Sequence, residues 1–317
     1  MTAAEPTEAD IDDTVIRGVV VGYDGSPAAD LALDWAAAAA AAHGLPLTLL
    51  AAQPDAEGEV IDVPDVADSE VLDEDLAVDL GHATDRVAQT YPDLELAVVV
   101  HPEAPVVGIL DASRTAEVVV LGSRGMGGFQ GLLLGSTTMN VAPYAECPVV
   151  VLYEPDERTA EAVANARHPE EIVVGFDGSE YAVRALEFAL QHAVATGLGL
   201  AVVAVSKGRS GEPPAQVNPD DADLPESVRE NLQAAAEVAQ GYPDVEISYL
   251  HGVGRPAVVL IHEAAGSALA VVGVRGRGGF ATLRLGSVGM QMLIHAECPV
   301  ALVREVHEAW GGSTAAE

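Results

Sequence analysis

Residues 122–140 read GSRGMGGFQGLLLGSTTMN, and residues 273–291 read GVRGRGGFATLRLGSVGMQ. Five glycines keep their places between the two stretches: Gly122, Gly125, Gly127, Gly128 and Gly135 against Gly273, Gly276, Gly278, Gly279 and Gly286. The offset is 151 residues in a chain of 317, which is domain-sized and far too long for a solenoid repeat. Reading outward, VVVGYDGS (19–26) returns as IVVGFDGS (172–179), YPDLEL (91–96) as YPDVEI (242–247), and AECPVVVL (145–152) as AECPVALV (296–303). Nearly a whole domain is therefore present twice.

Each copy alternates two patterns. Valine-rich runs without polar alternation lie at 15–22, 46–52, 95–101, 117–122 and 147–153, as expected of strands buried on both faces of a parallel sheet. Alanine- and leucine-rich helical stretches separate them at 27–43, 70–91, 104–114 and 136–145. This alternation predicts an α/β fold with two tandem, doubly wound parallel sheets. The domains expected are 15–154 and 169–304, joined by a linker at 155–168 and followed by a C-terminal tail at 305–317. Residues 1–14 hold five acids and no base and are expected to form an acidic disordered tail.

The glycine stretch follows a strand and precedes a helix, so it sits at the carboxyl end of a sheet, where open α/β folds bind ligands. Glycines let consecutive N–H groups turn toward an anion, and Ser136 or Ser287 is expected to cap the next helix beside the positive end of its dipole. The expected product is a phosphate cradle. It is not a P-loop, because no Gly-Lys-Ser/Thr follows the glycines in either copy. Asp24 and Asp177 end the first strand of each copy, and Ser26 and Ser179 are N-caps for the next helix. If strands one and four are neighbours, each aspartate faces its glycine loop, ready to accept a ribose diol or Mg²⁺ held by phosphates. An Asx-turn that caps the same helix is the alternative role.

Together the VVVGYDGS strand, the G-x2-G-x9-G-[ST] loop and the CPV strand resemble the universal stress protein family in its tandem form, over about 15–153 and 170–303. The spaced glycines resemble its ATP-binding branch. The resemblance implies a five-stranded sheet ordered 3-2-1-4-5 in each copy, with pairing through the last strand. The edge strands at 148–152 and 299–303 are apolar and need cover, so the two copies are expected to pack as an internal pseudo-dimer. It also implies ATP as ligand, with Mg²⁺, and further assembly into a homodimer. Carried onto this sequence, it assigns phosphate contacts to Gly125, Gly135, Ser136 and Thr137, and to Gly276, Gly286, Ser287 and Val288. It places Asp24 with Gly122, and Asp177 with Gly273, near the ribose. Arg124 and Arg275 are additional phosphate candidates. One departure stands out: Gly254-Arg255-Pro256 in the second copy is Glu103-Ala104-Pro105 in the first.

Composition bounds the partners. The net charge is −34, from 49 acids against 15 bases of which one is lysine (Lys207), a surface that repels nucleic acid and anionic lipid. The N-terminal stretch MTAAEPTEADIDD lacks the basic start and apolar middle of a signal peptide, so a cytoplasmic location is expected. Two cysteines give no disulfide framework, and no histidine stands at metal-ligand spacing, so no metal ligands are assigned. The eleven acids in 55–79 read as a solvated loop entering a polar helix face. No catalytic set emerges. An ATP-binding stress-response regulator with slow turnover at most is expected, ahead of a nucleotide-using enzyme or a nucleotide-free scaffold. Arg275, Arg277 and Arg284 against Arg124 alone predict the tighter ATP site in the second copy.

Overall fold

The computed structural model describes residues 16–54, 59–61, 63, 66, 72–125, 134–208, 212–278, 283–306 and 310. The expected acidic tail at 1–14 and most of the acidic run after Asp55 lie outside them.

In the first copy, β1 (Val19–Gly22) leads through α1 (Pro27–His43) to β2 (Leu47–Ala52). A short β3 (Glu59–Ile61) and α2 (Glu74–Thr90) precede β4 (Leu96–His101). Then come α3 (Pro105–Ala112), β5 (Val118–Gly122), α4 (Ser136–Val141) and β6 (Val149–Leu152). The segment joining the copies contains a helix, α5 (Glu157–Ala164), capped by Asp156, which accepts from Thr159 N at 2.8 Å. The second copy repeats the plan with β7 (Glu171–Gly175), α6 (Glu180–Thr196), β8 (Gly199–Ser206), β9 (Ala215–Gln216), α7 (Glu226–Ala239) and β10 (Ile247–Val253). It ends with α8 (Pro256–Glu263), β11 (Leu269–Gly273), α9 (Ser287–His295) and β12 (Val300–Val303).

The five parallel strands of the first copy lie side by side as β4-β2-β1-β5-β6, which is the order 3-2-1-4-5, and β10-β8-β7-β11-β12 repeats it. Each half gains one short antiparallel strand, β3 or β9, at its outer edge. These brief strands blunt an edge that would otherwise offer unpaired backbone. The inner edges cover one another. β12 pairs antiparallel with β6, Val300 opposite Val151 and Leu302 opposite Val149, so the two sheets fuse into one of twelve strands. Because that join is antiparallel, the carboxyl ends of the two parallel sets point in opposite directions.

The strands are buried on both faces; Val19, Val20 and Val21 are all fully inaccessible. Helices α1, α2, α6 and α7 cover one face, while α3, α4, α8 and α9 cover the other. Local chemistry explains α1. Ser26 Oγ accepts from Ala29 N at 3.2 Å, Pro27 takes a first-turn position, and Gly44 at φ 64° ends the helix left-handed. Its alanines at 28, 29, 32, 36, 37, 39 and 40 are buried, which lets the helix lie close to the sheet.

Side chains stitch the two halves on both faces. On one, the Tyr153 hydroxyl donates to Leu293 O at 2.9 Å, and Arg304 donates to Ala145 O at 3.0 Å and Pro143 O at 2.6 Å. On the other, Trp310 is fully buried, its ring 4.8 Å from Phe188 and 3.8 Å from His43. Part of the C-terminal segment thus docks across α1 and α6. His43 Nδ1 lies 2.6 Å from the Trp310 carbonyl, which can only accept, so Nδ1 carries the proton. His43 Nε2 is then the acceptor for His192 Nδ1 at 3.0 Å. Burial lowers both imidazoles, His43 to about 4 and His192 to about 3.

Candidate functional site

At the end of β1 the chain turns through Asp24 and Gly25, the latter at φ 74°; Gly178, at φ 72°, makes the same turn in the second copy. Asp24 Oδ1 accepts from Ser26 N at 3.1 Å, and Asp177 Oδ1 from Ser179 N at 3.0 Å. The Asx-turn is therefore present, and it uses one oxygen of each carboxylate. The other oxygen faces the glycine loop: a side-chain carbon added to Gly125 would strike Asp24 Oδ2, and one on Gly276 would strike Asp177 Oδ2. Aspartate and loop face each other in both copies because β1 lies beside β5, and β7 beside β11.

Two of the motif glycines are required by packing. A Cβ on Gly122 would sit 2.7 Å from the Ala28 backbone, and one on Gly273 2.7 Å from Tyr181, so glycine lets the first turn of α1 or α6 press against the strand end. Gly135 N donates to Ser123 O at 2.7 Å and Gly286 N to Val274 O at 2.7 Å, closing each loop. Gly135 and Gly286, in extended conformation, are the helix caps. Ser136 and Ser287 are the first helical residues rather than the caps, so each helix starts one place earlier than the cap reading of the sequence suggested. The shift follows from those loop-closing bonds, which fix the glycine outside the helix. It places the N–H groups of Ser136 and Thr137 among the donors that a first turn leaves without helical partners. Helix α4 is also shorter than expected, ending at Val141.

In the first copy these pieces bound a cleft of about 560 Å³. Its polar rim is Asp24, Gly122, Arg124, Gly125, Gly135, Ser136, Thr137 and Thr138. Its other lining is mostly apolar: Ala29, Leu50, Ala52, Leu76, Pro105, Ile109 and Leu121, with Tyr23. Sequence reading missed this apolar wall, since a valine- or leucine-rich core looks the same whether or not it borders a cleft. Proximity to the turn residue Asp24 was the one available signal, for Tyr23. The Tyr23 hydroxyl donates to Asp30 Oδ1 at 3.0 Å, and burial, then that bond, raises its pKa. Thr138 was missed too; its hydroxyl donates to Gly122 O at 2.9 Å and ties α4 to β5. Glu103 is exposed and does not line the cleft.

The second copy keeps the apolar positions: Val203, Leu260 and Val272 are buried where Leu50, Ile109 and Leu121 stand in the first. Val288 replaces Thr137 and packs against the core. Its arginines differ in direction. Arg277 N donates to Asp177 Oδ2 at 2.9 Å, and its guanidinium reaches Gly178 O at 3.4 Å. Arg275 lies over the Tyr181 ring at 5.9 Å, whereas Arg124 pairs with Glu154 at 3.3 Å. Arg284 stacks on Tyr144 of the first copy at 5.4 Å, toward the seam. The three second-copy arginines thus spread over the turn, the helix start and the seam.

Other sequence candidates are structural. His101 Nδ1 accepts from Glu103 N at 3.2 Å, and its ring fills the space beside Gly108. Cys147 and Cys298 are buried free thiols, both pushed up to about 12 by burial. Among the described residues no group of three His, Cys, Asp or Glu side chains is arranged to hold a metal, and no helix is long and apolar enough to cross a membrane.

The sequence profile of the universal stress protein family matches residues 16–152 and again 169–304. A universal stress protein of Mycolicibacterium smegmatis is 32% identical over 295 residues, covering 90% of this chain and 97% of its own. One from Mycobacterium tuberculosis is 33% identical over 300 residues, covering 91% and 97%. Among solved structures, a universal stress protein from Archaeoglobus fulgidus aligns at a TM-score of 0.57 with 20% identity, over 90% of this chain and 98% of its own. Two matched domains, with relatives of this identity along nearly the full length of both chains, place this protein in the universal stress protein family.

Proposed function

We propose that the chain is a nucleotide-responsive stress regulator that binds one adenine nucleotide per copy. The observation that carries this reading is the first-copy cleft, apolar at one side and bounded at the other by Asp24, the Gly125 and Gly135 backbone and the start of α4. A planar base fits the Leu50, Ile109 and Leu121 side. Asp24 Oδ2 is positioned as an acceptor for a ribose diol, and the loop and first-turn N–H groups are donors for phosphate. Mg²⁺ would enter with the phosphates, since Asp24 is the carboxylate that lines the cleft. It would supply charge neutralisation there.

Among the described residues that line the cleft there is no lysine, histidine or glutamate to position a water or take its proton. Occupancy rather than turnover is the signal on this reading. The homodimer implied by the family resemblance would use a surface other than β6 and β12, whose edges are already paired within the chain.

Calorimetry with ATP on nucleotide-free protein tests the proposal, with a stoichiometry near two expected. Gly135→Asp and Gly286→Asp, each placing a carboxylate at a helix start, should each remove one site. Absence of binding at millimolar ATP overturns the reading, and steady-state hydrolysis at about one per second or faster replaces it with an enzyme.

A further inference from the structure

Four of the fifteen basic residues of this acidic chain gather at one place, the seam beside the second glycine loop. Arg184 and Arg275 lie against the same Tyr181 ring, 5.5 and 5.9 Å from its centroid. Arg184 donates to Arg304 O at 2.9 Å, and Arg304 donates to Arg284 O at 3.3 Å. The first copy has no such group: Leu31, Leu133 and Tyr153 stand where Arg184, Arg284 and Arg304 stand in the second. Arg124, the counterpart of Arg275, has Glu154 as its ion pair. The carboxylate equivalent to Glu154, Glu305, pairs with Arg184 at 3.5 Å instead.

Two of the four guanidiniums are committed elsewhere. Arg304 holds the Pro143 and Ala145 carbonyls in the turn after α4, and Arg184 holds Glu305 and the Arg304 carbonyl. Arg275 and Arg284 are not: among the described residues neither has a carboxylate within ion-pair distance, and Arg275 Nε is buried without a hydrogen-bond partner. A buried guanidinium donor left open is costly unless something accepts from it. Arg304 lies within the field of both open arginines: burial first, then the charges of Arg275 and Arg284, lower its pKa. Aromatic faces at Tyr181 and Tyr144 hold the two open arginines in place but bring no anion.

We propose that this seam is an anion site, in which Arg275 and Arg284 receive clustered phosphates and Arg184 and Arg304 supply the surrounding positive field. Guanidiniums match phosphate oxygens in geometry as well as charge. The phosphates come either from a nucleotide whose chain extends out of the second loop or from free polyphosphate. The first source rests on the function proposed above; the second does not.

Inorganic tripolyphosphate is the probe, titrated by calorimetry into the full chain at low salt. One site per chain is expected, weakening about tenfold in Arg275→Gln/Arg284→Gln. It should be unchanged in Arg114→Gln/Arg229→Gln, which removes an exposed and a half-buried arginine elsewhere. Arg275→Lys, which keeps the charge and loses Nε, should fall between the two. Competition separates the sources. If ATP displaces the probe and AMP does not, the phosphates belong to a nucleotide in the second loop; if neither displaces it, the site takes free polyphosphate. No tripolyphosphate binding by the wild-type chain at millimolar concentration, or an equal loss in the two double variants, overturns the anion site. Failure of ATP to bind anywhere overturns the nucleotide reading and leaves the probe result standing by itself.

Discussion

Acidification to pH 5 is expected to loosen the join between the copies by way of His43 and His192. Both imidazoles are held neutral in the fold, at about 4 and about 3, against an ordinary value of 6.5. Folded values below the unfolded one mean stability is fully present above pH 6.5 and is lost as the pH falls toward the folded values. At pH 5 the unfolded chain has taken up nearly one proton per histidine and the native chain few. Each histidine then removes about 2 kcal/mol, or ~4 kcal/mol together. The hydrogen-bond order gives the same sign, because a second proton on His43 would set two donors face to face at His192 Nδ1. His168, raised chiefly by its hydrogen bond to Glu263, works with the opposite sign, its contribution being full below pH 6.5 and lost as the pH rises, so it offsets part of the acid loss equally in the wild type and the variant below. His251, lowered by burial, adds a background shared by the variant below. Fluorescence reads the right place, since both tryptophans of the chain, Trp35 and Trp310, lie within 5.7 Å of the His192 ring. Urea unfolding followed by tryptophan emission should show a lower midpoint at pH 5 than at pH 7.5. His192→Phe, which keeps a ring and cannot titrate, should lose about half of that acid sensitivity. Equal losses in the two proteins would refute the assignment, as would no loss in the wild type.

Trp310→Ala should cost about 3–5 kcal/mol, read by urea unfolding followed by circular dichroism, because a fully buried indole leaves its stack on Phe188 and His43. Gly122→Val should weaken ATP binding and lower Tm together, since its Cβ meets the Ala28 backbone at 2.7 Å and displaces the first turn of α1. Gly44→Ala, at φ 64° with open space around it, should cost about 1 kcal/mol and leave binding untouched. Cys147 and Cys298, buried with thiols at about 12, should resist a thiol reagent in the native protein and react once it is unfolded in urea.

The alternation of strands and helices was legible in the repeated pattern of valine runs with glycines where they end. The strand order came with the family resemblance, and the facing of Asp24 and Gly125 followed once β1 and β5 were neighbours. The fusion through β6 and β12 was legible for a similar reason, as both strands are apolar edges that need cover. Three features were not. The cap position depends on the Gly135 N to Ser123 O bond, which no local propensity announces. The apolar side of the cleft is drawn from five separate segments, and Leu76 enters it from α2, which packs against α1. The docking of Trp310 unites residues from positions 43, 188, 192 and 310, a long-range stack that composition hides. The arginines show the same limit from the other side. Counting them along the loop was possible, but the turn of Arg284 toward Tyr144 depends on the other copy being there.

The antiparallel join at β6 and β12 makes the molecule two-headed. Each set of strands ends at its own pole, so on the function proposed above a nucleotide in one glycine loop would be presented away from the other. A compact partner that recognises an occupied loop can therefore touch only one end, and two such partners can sit on one chain without meeting. A partner that is itself bivalent would bridge pole to pole between molecules and string them in rows, because heads that face apart leave a line open where heads that face together would close a ring.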